Sequence, residues 1–528
     1  MKRLRDLMRR HCRLIGCLLA AALARLYLIT YTIPAQPGEM AAFGLMADAI
    51  RHGEDFPLFL WGCHYAGTIT SYLSVLTFAL CGMSLWSVQL ATVPAGLAHV
   101  LSAYGVAAHC ASRRVALLTA WMVACAPAFF QRYSMQAAFA EGLALGWAAV
   151  WLALRALRGG ATPQTKRRWW WCGVVSGLGV WAQPIALPSL LAIATVLWRG
   201  ASSLRRIAVR PWLTGVVVGL VPALVHNLLY PGATFLRIAG RLVRVTRADL
   251  SSASDPLAFM AQQLLRVPGE ILSGLLTVWT SLQALLSAGA WPGHGYADLY
   301  AIGAGLVTLA SVLIAWWCLR RRWPGAPVAA RPLLVALAGW TLLIYLVNRE
   351  FVGRFFMPIS LILALAVASW IAERPSHARG AFRLLVGVSL LAWNLWTVGL
   401  MRHHRWLAYR PISAYLVEQH IRTGYATHGL AYPLMVEAQG RVLLSPSATG
   451  PTVTDRRPDW TARVHAAPEI AYVTLAESAA DLALTAQLYQ RGVSYTRAAL
   501  EGIVVYHHLS RRVLPDALAL PHSSDEDL

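Results

Sequence analysis

Apolar runs of roughly 20 residues, long enough to cross ~30 Å of hydrocarbon, recur along the chain from Leu14 to Met401. Short loops separate them, and many of those loops are rich in arginine. The pattern predicts a mainly α, polytopic helical membrane protein. After Met401 the pattern changes. Strand-like runs RVLLSP, IAYVTLA and GIVVYHHL alternate with helix-like ISAYLVEQHIRTG and ESAADLALTAQLYQRG, which predicts a small α/β domain. The expected organisation is a transmembrane domain over 1–402, an extracytoplasmic α/β domain over 403–509 and a disordered tail over 510–528, ending SSDEDL.

Counting basic residues in the short loops sets the expected topology. Arg3, Arg5, Arg9, Arg10 and Arg13 place the N-terminus in the cytoplasm, so residues 14–33 run outward and Glu39 emerges on the far side. Arg113-Arg114 is the next cytoplasmic marker, so of the apolar runs 67–83 and 86–110 one stays outside. The shorter one, TITSYLSVLTFALCGM, is assigned to a shallow helix at the outer interface. Residues 169–199 lie between Arg-rich loops and are read as a hairpin turning at Gln183-Pro184. Continuing to Met401 gives about eleven spans with interfacial helices, and a C-terminus outside. Residues 231–297 are then external, including an apolar stretch near 271–288. The absence of an internal repeat weakens a transporter built from duplicated halves.

Composition supports this reading: 57% of the 528 residues are hydrophobic and 13% charged, about half the charged share usual in soluble domains. The net charge of +22 sits in arginine clusters between apolar runs, where it acts as a topology signal and argues against nucleic-acid binding. Eight cysteines without CxxC spacing predict neither a metal site nor a disulfide framework. The start, MKRLRDLMRRHCRLIGCLLAAALA, has signal-peptide features, but the apolar stretch resumes with LYLITYTI and completes a span.

With topology set, the informative residues are charges on the outer side close to the membrane. The segment EMAAFGLMADAI places Met40, Phe43, Ala47 and Ile50 on one helical face, predicting an amphipathic helix lying on the membrane with Glu39 off that face. Asp55, His64 and Tyr65 share its loop. In FFQRYSMQAAFAEGLALGW, Arg132 lies in an external turn and Glu141 already inside the next apolar run, where a carboxylate needs a partner or a polar cavity. NREFVGRFFMP puts Arg349 and Arg354 outside against the positive-inside bias, so an anion is expected there, either a lipid headgroup or a substrate phosphate. Arg237, Arg241, Arg244 and Arg247 fall on one helical face, which suits anionic headgroups. Arg25, inside the first span, must snorkel or find a carboxylate, and Glu141 is the partner considered.

An acid just after the first span, an interfacial helix, GCHYAG at 62–67 and an external turn reading PAFFQRYS before a carboxylate resemble the GT-C class of integral-membrane glycosyltransferases. Within it, the sequence is most similar to the protein mannosyltransferase and aminoarabinose transferase branch. SGLGVWAQPIALPSLL, GLVPALVHNLLYPGATF and RFFMP extend the resemblance over residues 14–400. Many such enzymes carry Asp or Asp-Glu where this chain has Gly38-Glu39.

The resemblance implies transfer of a sugar from a polyprenyl-phosphate donor to a hydroxyl of a glycan, lipid or protein on the extracytoplasmic face of a bacterial inner membrane. Its partners would be that donor, membrane lipids and the acceptor, with no nucleic acid. No cofactor beyond the lipid-linked donor is implied, and metal assistance stays open. Glu39 would be the general base, because a hydroxyl is a poor nucleophile until a carboxylate takes its proton. Arg132, Arg349 and Arg354 would meet the donor phosphate, with Glu141, Asp55, His64 and Tyr65 as further substrate contacts. A transporter or flippase, and a non-catalytic assembly protein on the same scaffold, are the alternatives. Transporter charges should cluster at mid-membrane, whereas these gather at the outer surface.

Overall fold

The structure is a computed structural model that describes residues 2–32, 34–159, 162–234, 297–320, 330–348, 353–372, 377–400, 409–446 and 455–518, with isolated positions between 277 and 328. Arg349 and the stripe Arg237, Arg241, Arg244 and Arg247 lie outside the described residues, as do most of 271–288 and all of 519–528.

The helices run in order as α1 (Lys2–Tyr31), α2 (Pro37–His52), α3 (Ile69–Cys81), α4 (Leu85–Leu90), α5 (Val93–Cys110), α6 (Arg113–Ala124) and α7 (Ala128–Tyr133). They continue as α8 (Phe139–Leu157), α9 (Pro163–Ala182), α10 (Leu187–Arg199), α11 (Ser202–Gly219), α12 (Val221–Leu229), α13 (Ala297–Arg320), α14 (Ala330–Asn348), α15 (Ser360–Ala372) and α16 (His377–Leu400). The C-terminal region adds α17 (Tyr409–Glu418), β1 (Thr423–Ala426), α18 (His428–Glu437), β2 (Leu443–Ser445), α19 (Pro458–Ala466), β3 (Ala471–Leu475), α20 (Ala479–Gln490), β4 (Thr496–Leu500) and β5 (Ile503–His507). The chain divides into two compact units. The first holds residues 1–28, 65–67 and 93–403, and the second holds 29–64, 68–92 and 404–528. The loop after the first span, residues 29–64, groups with the C-terminal residues in this division.

The first unit is a helical bundle whose core runs through α5, α6, α8, α9, α10, α14 and α15. By length and hydropathy, four described stretches qualify as membrane spans: Cys12–Tyr31, Leu85–Cys110, Phe139–Leu157 and Arg354–Ala372. Ser202–Gly219 with Val221–Leu229, bent by 51° at Leu220, makes a fifth if counted as one. Other predicted crossings fall on shorter apolar helices, among them Pro184–Arg199, Ala330–Leu346 and Leu384–Val398. The break expected at Gln183-Pro184 is present: α9 stops at Ala182 and a 3-10 turn over Pro184–Ala186 leads into α10. Arg25 is fully buried, but its guanidinium lies against Gly96 of α5 and donates to the Ala21 carbonyl at 3.3 Å, so the partnership considered with Glu141 is not what the structure records.

Small residues let α9 and α11 run parallel in backbone contact. A Cβ on Gly215 would stand 2.1 Å from the Trp170 carbonyl, and one on Gly173 2.1 Å from that of Trp212. No side chain can yield there, since the obstacle is backbone. Gly215→Val is therefore expected to force the pair apart and cost at least the roughly 1–3 kcal/mol of an overpacked core. A lower unfolding temperature of the detergent-purified variant would show it, with Thr214→Val, whose side chain is exposed, as the silent control.

The second unit centres on a five-stranded sheet of order β2-β1-β3-β5-β4. β1 pairs in parallel with β2 and β3, while β5 is antiparallel to β3 and β4. Tyr472, Val504, Tyr506, Leu484 and Leu488 form its core. Buried Asp481 is fully engaged: it accepts from Tyr506, from Arg497 at 3.2 Å and from the Glu477 amide at 2.9 Å. Of the tail expected to be disordered from Ser510, residues 510–518 are described and are ordered. Val513 and Leu518 are buried in this core and the Val513 carbonyl accepts from Tyr472 at 2.7 Å, because these two apolar side chains outweigh the polar composition around them.

His507, at the end of β5, is buried and bonded to the Tyr415 hydroxyl at 2.9 Å. Burial, then the neighbouring His508, push its pKa below the ordinary 6.5. The unfolded chain thus binds this proton more tightly, so the stability His507 leaves intact above pH 6.5 declines as pH falls below it. Hydrogen exchange of residues 503–507 in the full-length protein should quicken from pH 7 toward pH 5 after correction for intrinsic rates. His507→Gln should flatten that trend.

The helix α2 is also unlike its sequence expectation. Met40, Phe43 and Ala47 are buried, but so are Ala41, Ala42, Leu45 and Met46. It is enclosed by α3, α4 and α18 instead of lying with one face on lipid. Alanine, glycine and methionine on every side make close packing possible where a charged outer face would have forbidden it.

Candidate active site

Glu39 sits in the first turn of α2, where the helix dipole favours a carboxylate. The Arg456 guanidinium donates to its Oε1, and His428 Nε2 lies 3.9 Å from the same oxygen. The side chains of Arg456 and His428 are 8% and 7% exposed and that of Glu39 21%, so this cluster is largely withdrawn from solvent. Oε2 of Glu39 is buried and has no hydrogen-bond partner among the described residues. One carboxylate oxygen is therefore held by a cation and the other is left to accept.

Local sequence explains how these groups meet. His428 opens α18 directly after β1, and Arg456 follows β2, so both come from the carboxyl ends of parallel strands, where α/β sheets bind ligands. Gly38 is required beside them, since a Cβ there would lie 2.5 Å from the His428 ring. Tyr432 of α18 accepts from the Arg456 amide at 2.8 Å and fixes that backbone. Burial, first of all, pushes the Tyr432 hydroxyl pKa well up, so it remains protonated. Asp455 accepts from Thr461 at 2.7 Å and from the Arg457 amide at 3.1 Å, closing the turn that carries Arg456.

Asp55 accepts from Trp61 Nε1 at 2.8 Å and does not join Glu39 in a hydrogen bond. Beside it, the Arg457 guanidinium lies 4.7 Å from the ring centroids of both Trp61 and Trp460 and binds Asp459 through two bonds of 2.7 and 2.6 Å. That bidentate pairing holds the Asp459 pKa below the usual carboxylate range. His64 takes a left-handed backbone, φ 51°, at the end of the same loop. The sequence alone does not single out Arg456, Arg457 or His428. Arg456-Arg457 reads there as one more basic pair, and nothing local ties it to a residue more than 400 positions earlier.

The remaining candidates lie in the first unit. Tyr65 belongs to its short 65–67 segment, where the Gly67 amide donates to the Ala182 carbonyl at 2.9 Å. Arg132 is on α7, Glu141 in the first turn of α8 and Arg354 in a 3-10 helix over Gly353–Ile359, and that 3-10 helix packs against both α7 and α8. Arg354 stands 5.7 Å above the Phe139 ring, and Phe139 also meets Tyr133, the residue after Arg132. Three elements thus gather the two arginines and the acid. Glu141 is buried at 4% exposure, and the residue capping its helix, Ala138, has φ 64° and ψ −44° in a γ-turn closed by Phe139 N to Ala137 O at 2.8 Å. Such a conformation costs about 1–3 kcal/mol in a non-glycine residue and concentrates at functional sites.

No protein-family model matches the chain, and no curated protein matches it. Solved structures do. ArnT from Cupriavidus metallidurans bound to undecaprenyl phosphate is similar with a TM-score of 0.61 at 13% identity, covering 94% of this chain and 98% of ArnT. The apo state of the same protein gives 0.57 at 14% identity, covering 93% and 97%. The archaeal oligosaccharyltransferase AglB from Archaeoglobus fulgidus, in complex with an inhibitory peptide and a dolichol-phosphate, gives 0.53 at 13% identity, covering 94% and 74%. These likenesses show the fold: a helical membrane bundle with a small C-terminal sheet domain, of the GT-C type expected from the sequence.

Proposed function

We propose that the protein transfers a sugar from a polyprenyl-phosphate carrier to an acceptor hydroxyl on the extracytoplasmic face. The observation that carries this reading is the environment of Glu39: a carboxylate with one oxygen held by Arg456 and the other buried without a partner among the described residues. A base oriented by a third group is the arrangement that activates a weak nucleophile. Arg456 is then a positioning residue. Glu39 takes the acceptor proton as the hydroxyl attacks the anomeric carbon and the carrier phosphate leaves. Positive charge growing on the sugar ring is stabilised by nearby carboxylate.

In the helical bundle, an apolar cavity of about 260 Å³ is lined by Trp121, Met122, Phe130, Leu363, Val367 and Leu391. Phe130 lines it from α7, the helix that also carries Arg132. An apolar cavity suits a lipid tail and a guanidinium suits its phosphate. Arg354, and Arg349 by its sequence position, would share the phosphate charge, while Glu141 orients an arginine or a sugar hydroxyl. ArnT and AglB, whose fold this chain shares, are seen with undecaprenyl phosphate and dolichol-phosphate respectively. Asp55, His64 and Tyr65 would border the acceptor.

The test is turnover of polyprenyl-phosphate sugars, labelled in the sugar, by the protein purified in lipid nanodiscs with a panel of hydroxyl acceptors. Release of polyprenyl phosphate matched by label on an acceptor is expected. Donor that stays intact across the panel, or crosses the bilayer unchanged, would favour a binding protein or a flippase.

A further inference from the structure

We infer that the end of the bundle where α9 and α11 begin is a binding site for the phosphate headgroup of an anionic glycerophospholipid, separate from the proposed sugar-transfer chemistry. Lys166 and Arg167 of α9 and Arg206 and Arg210 of α11 line one cavity of about 540 Å³ together with Trp170 and Thr214. Among the described residues no acidic side chain lines it. Among the described residues none of these four cations forms a salt bridge.

The fold holds these four exposed cations together, because the backbone contacts at Gly173 and Gly215 join the two helices at most nine residues from the charges. The helices are parallel, so both N-termini point the same way and add their positive dipole ends to the four side chains. The concentration of arginine in the flanking loops assigns this end to the cytoplasmic interface. Trp170 lines the same cavity; indole rings favour the headgroup level of a membrane, and basic pockets between membrane helices on the cytoplasmic side take phosphate-bearing lipids. Guanidinium forks match phosphate oxygens bidentately, and four positive charges are best balanced by a lipid carrying two phosphates.

The full-length protein, delipidated in neutral detergent, should be titrated by native mass spectrometry with cardiolipin, phosphatidylglycerol, phosphatidylcholine and inorganic phosphate. Cardiolipin is expected to bind at least tenfold more tightly than phosphatidylcholine. Arg206→Gln with Arg210→Gln should weaken cardiolipin roughly 25-fold, at about fivefold per cation lost, and the corresponding double Lys variant should stay within about threefold of wild type. Lys166→Gln with Arg167→Gln gives a second test if the first variant fails to fold. Equal affinity for cardiolipin and phosphatidylcholine would overturn the inference, as would neutralised variants that bind like wild type. So would displacement of cardiolipin by equimolar inorganic phosphate, which would mark a site for a soluble anion instead.

Discussion

Glu39→Gln is expected to abolish sugar transfer while leaving expression and membrane insertion intact. Glutamine keeps the shape of the side chain, and its carbonyl oxygen can still accept from Arg456, so the enclosed helix α2 has no reason to shift. What it loses is the ability to take a proton. General-base catalysis contributes about 10²–10⁴-fold, and the carboxylate's stabilisation of the developing sugar cation is lost with it, so the fall in kcat/KM should reach at least the upper end of that range. Affinity for the polyprenyl-phosphate donor should change little, since the arginines assigned to its phosphate are untouched. Turnover retained at more than about a tenth of wild type would reject Glu39 as the base.

Arg456→Met is expected to show the second largest effect, through two routes that can be measured apart. Removing one member of a largely buried ion pair leaves the other uncompensated, which costs roughly 3–5 kcal/mol when solvent is excluded. Glu39 keeps some solvent contact, so the lower end is expected, read as reduced thermal stability. The second route is catalytic. A carboxylate that swings by about 1 Å can lose about 10²-fold in rate, and that loss should fall on kcat with donor KM nearly unchanged. Arg456→Lys restores charge but not the fork, so it should recover stability more than rate. In the double variant with Glu39→Gln the two losses should not add, because one acts through the other.

Much of the architecture was legible in the chain because it rests on local pattern. The apolar periodicity announced the bundle, Gln183-Pro184 announced the break before α10, and the alternation after Met401 announced the sheet domain. Gly38-Glu39, Arg132, Glu141 and Arg354 stood out because charge beside an apolar run is costly without a reason. What stayed hidden depends on contacts distant in sequence. The enclosure of α2 is one case: its apolar face predicts membrane contact equally well, and only the fold reveals that α18 occupies that surface. Arg456 is another, since its meaning comes from a partner 417 residues away. The burial of Val513 and Leu518 is a third, because they are ordinary residues until the core of the sheet is known. The parallel approach of α9 and α11 was half visible, in glycines four residues apart, Gly173 with Gly177 and Gly215 with Gly219.

The most direct measurement places a thiol where the base should be. With Glu39→Cys in a background freed of the eight native cysteines, a membrane-impermeant maleimide is applied to right-side-out and to inverted vesicles, with and without polyprenyl-phosphate sugar. The account predicts modification from the extracytoplasmic side and protection when the donor is bound. Modification only from the cytoplasmic side, or the same rate with and without donor, would contradict it.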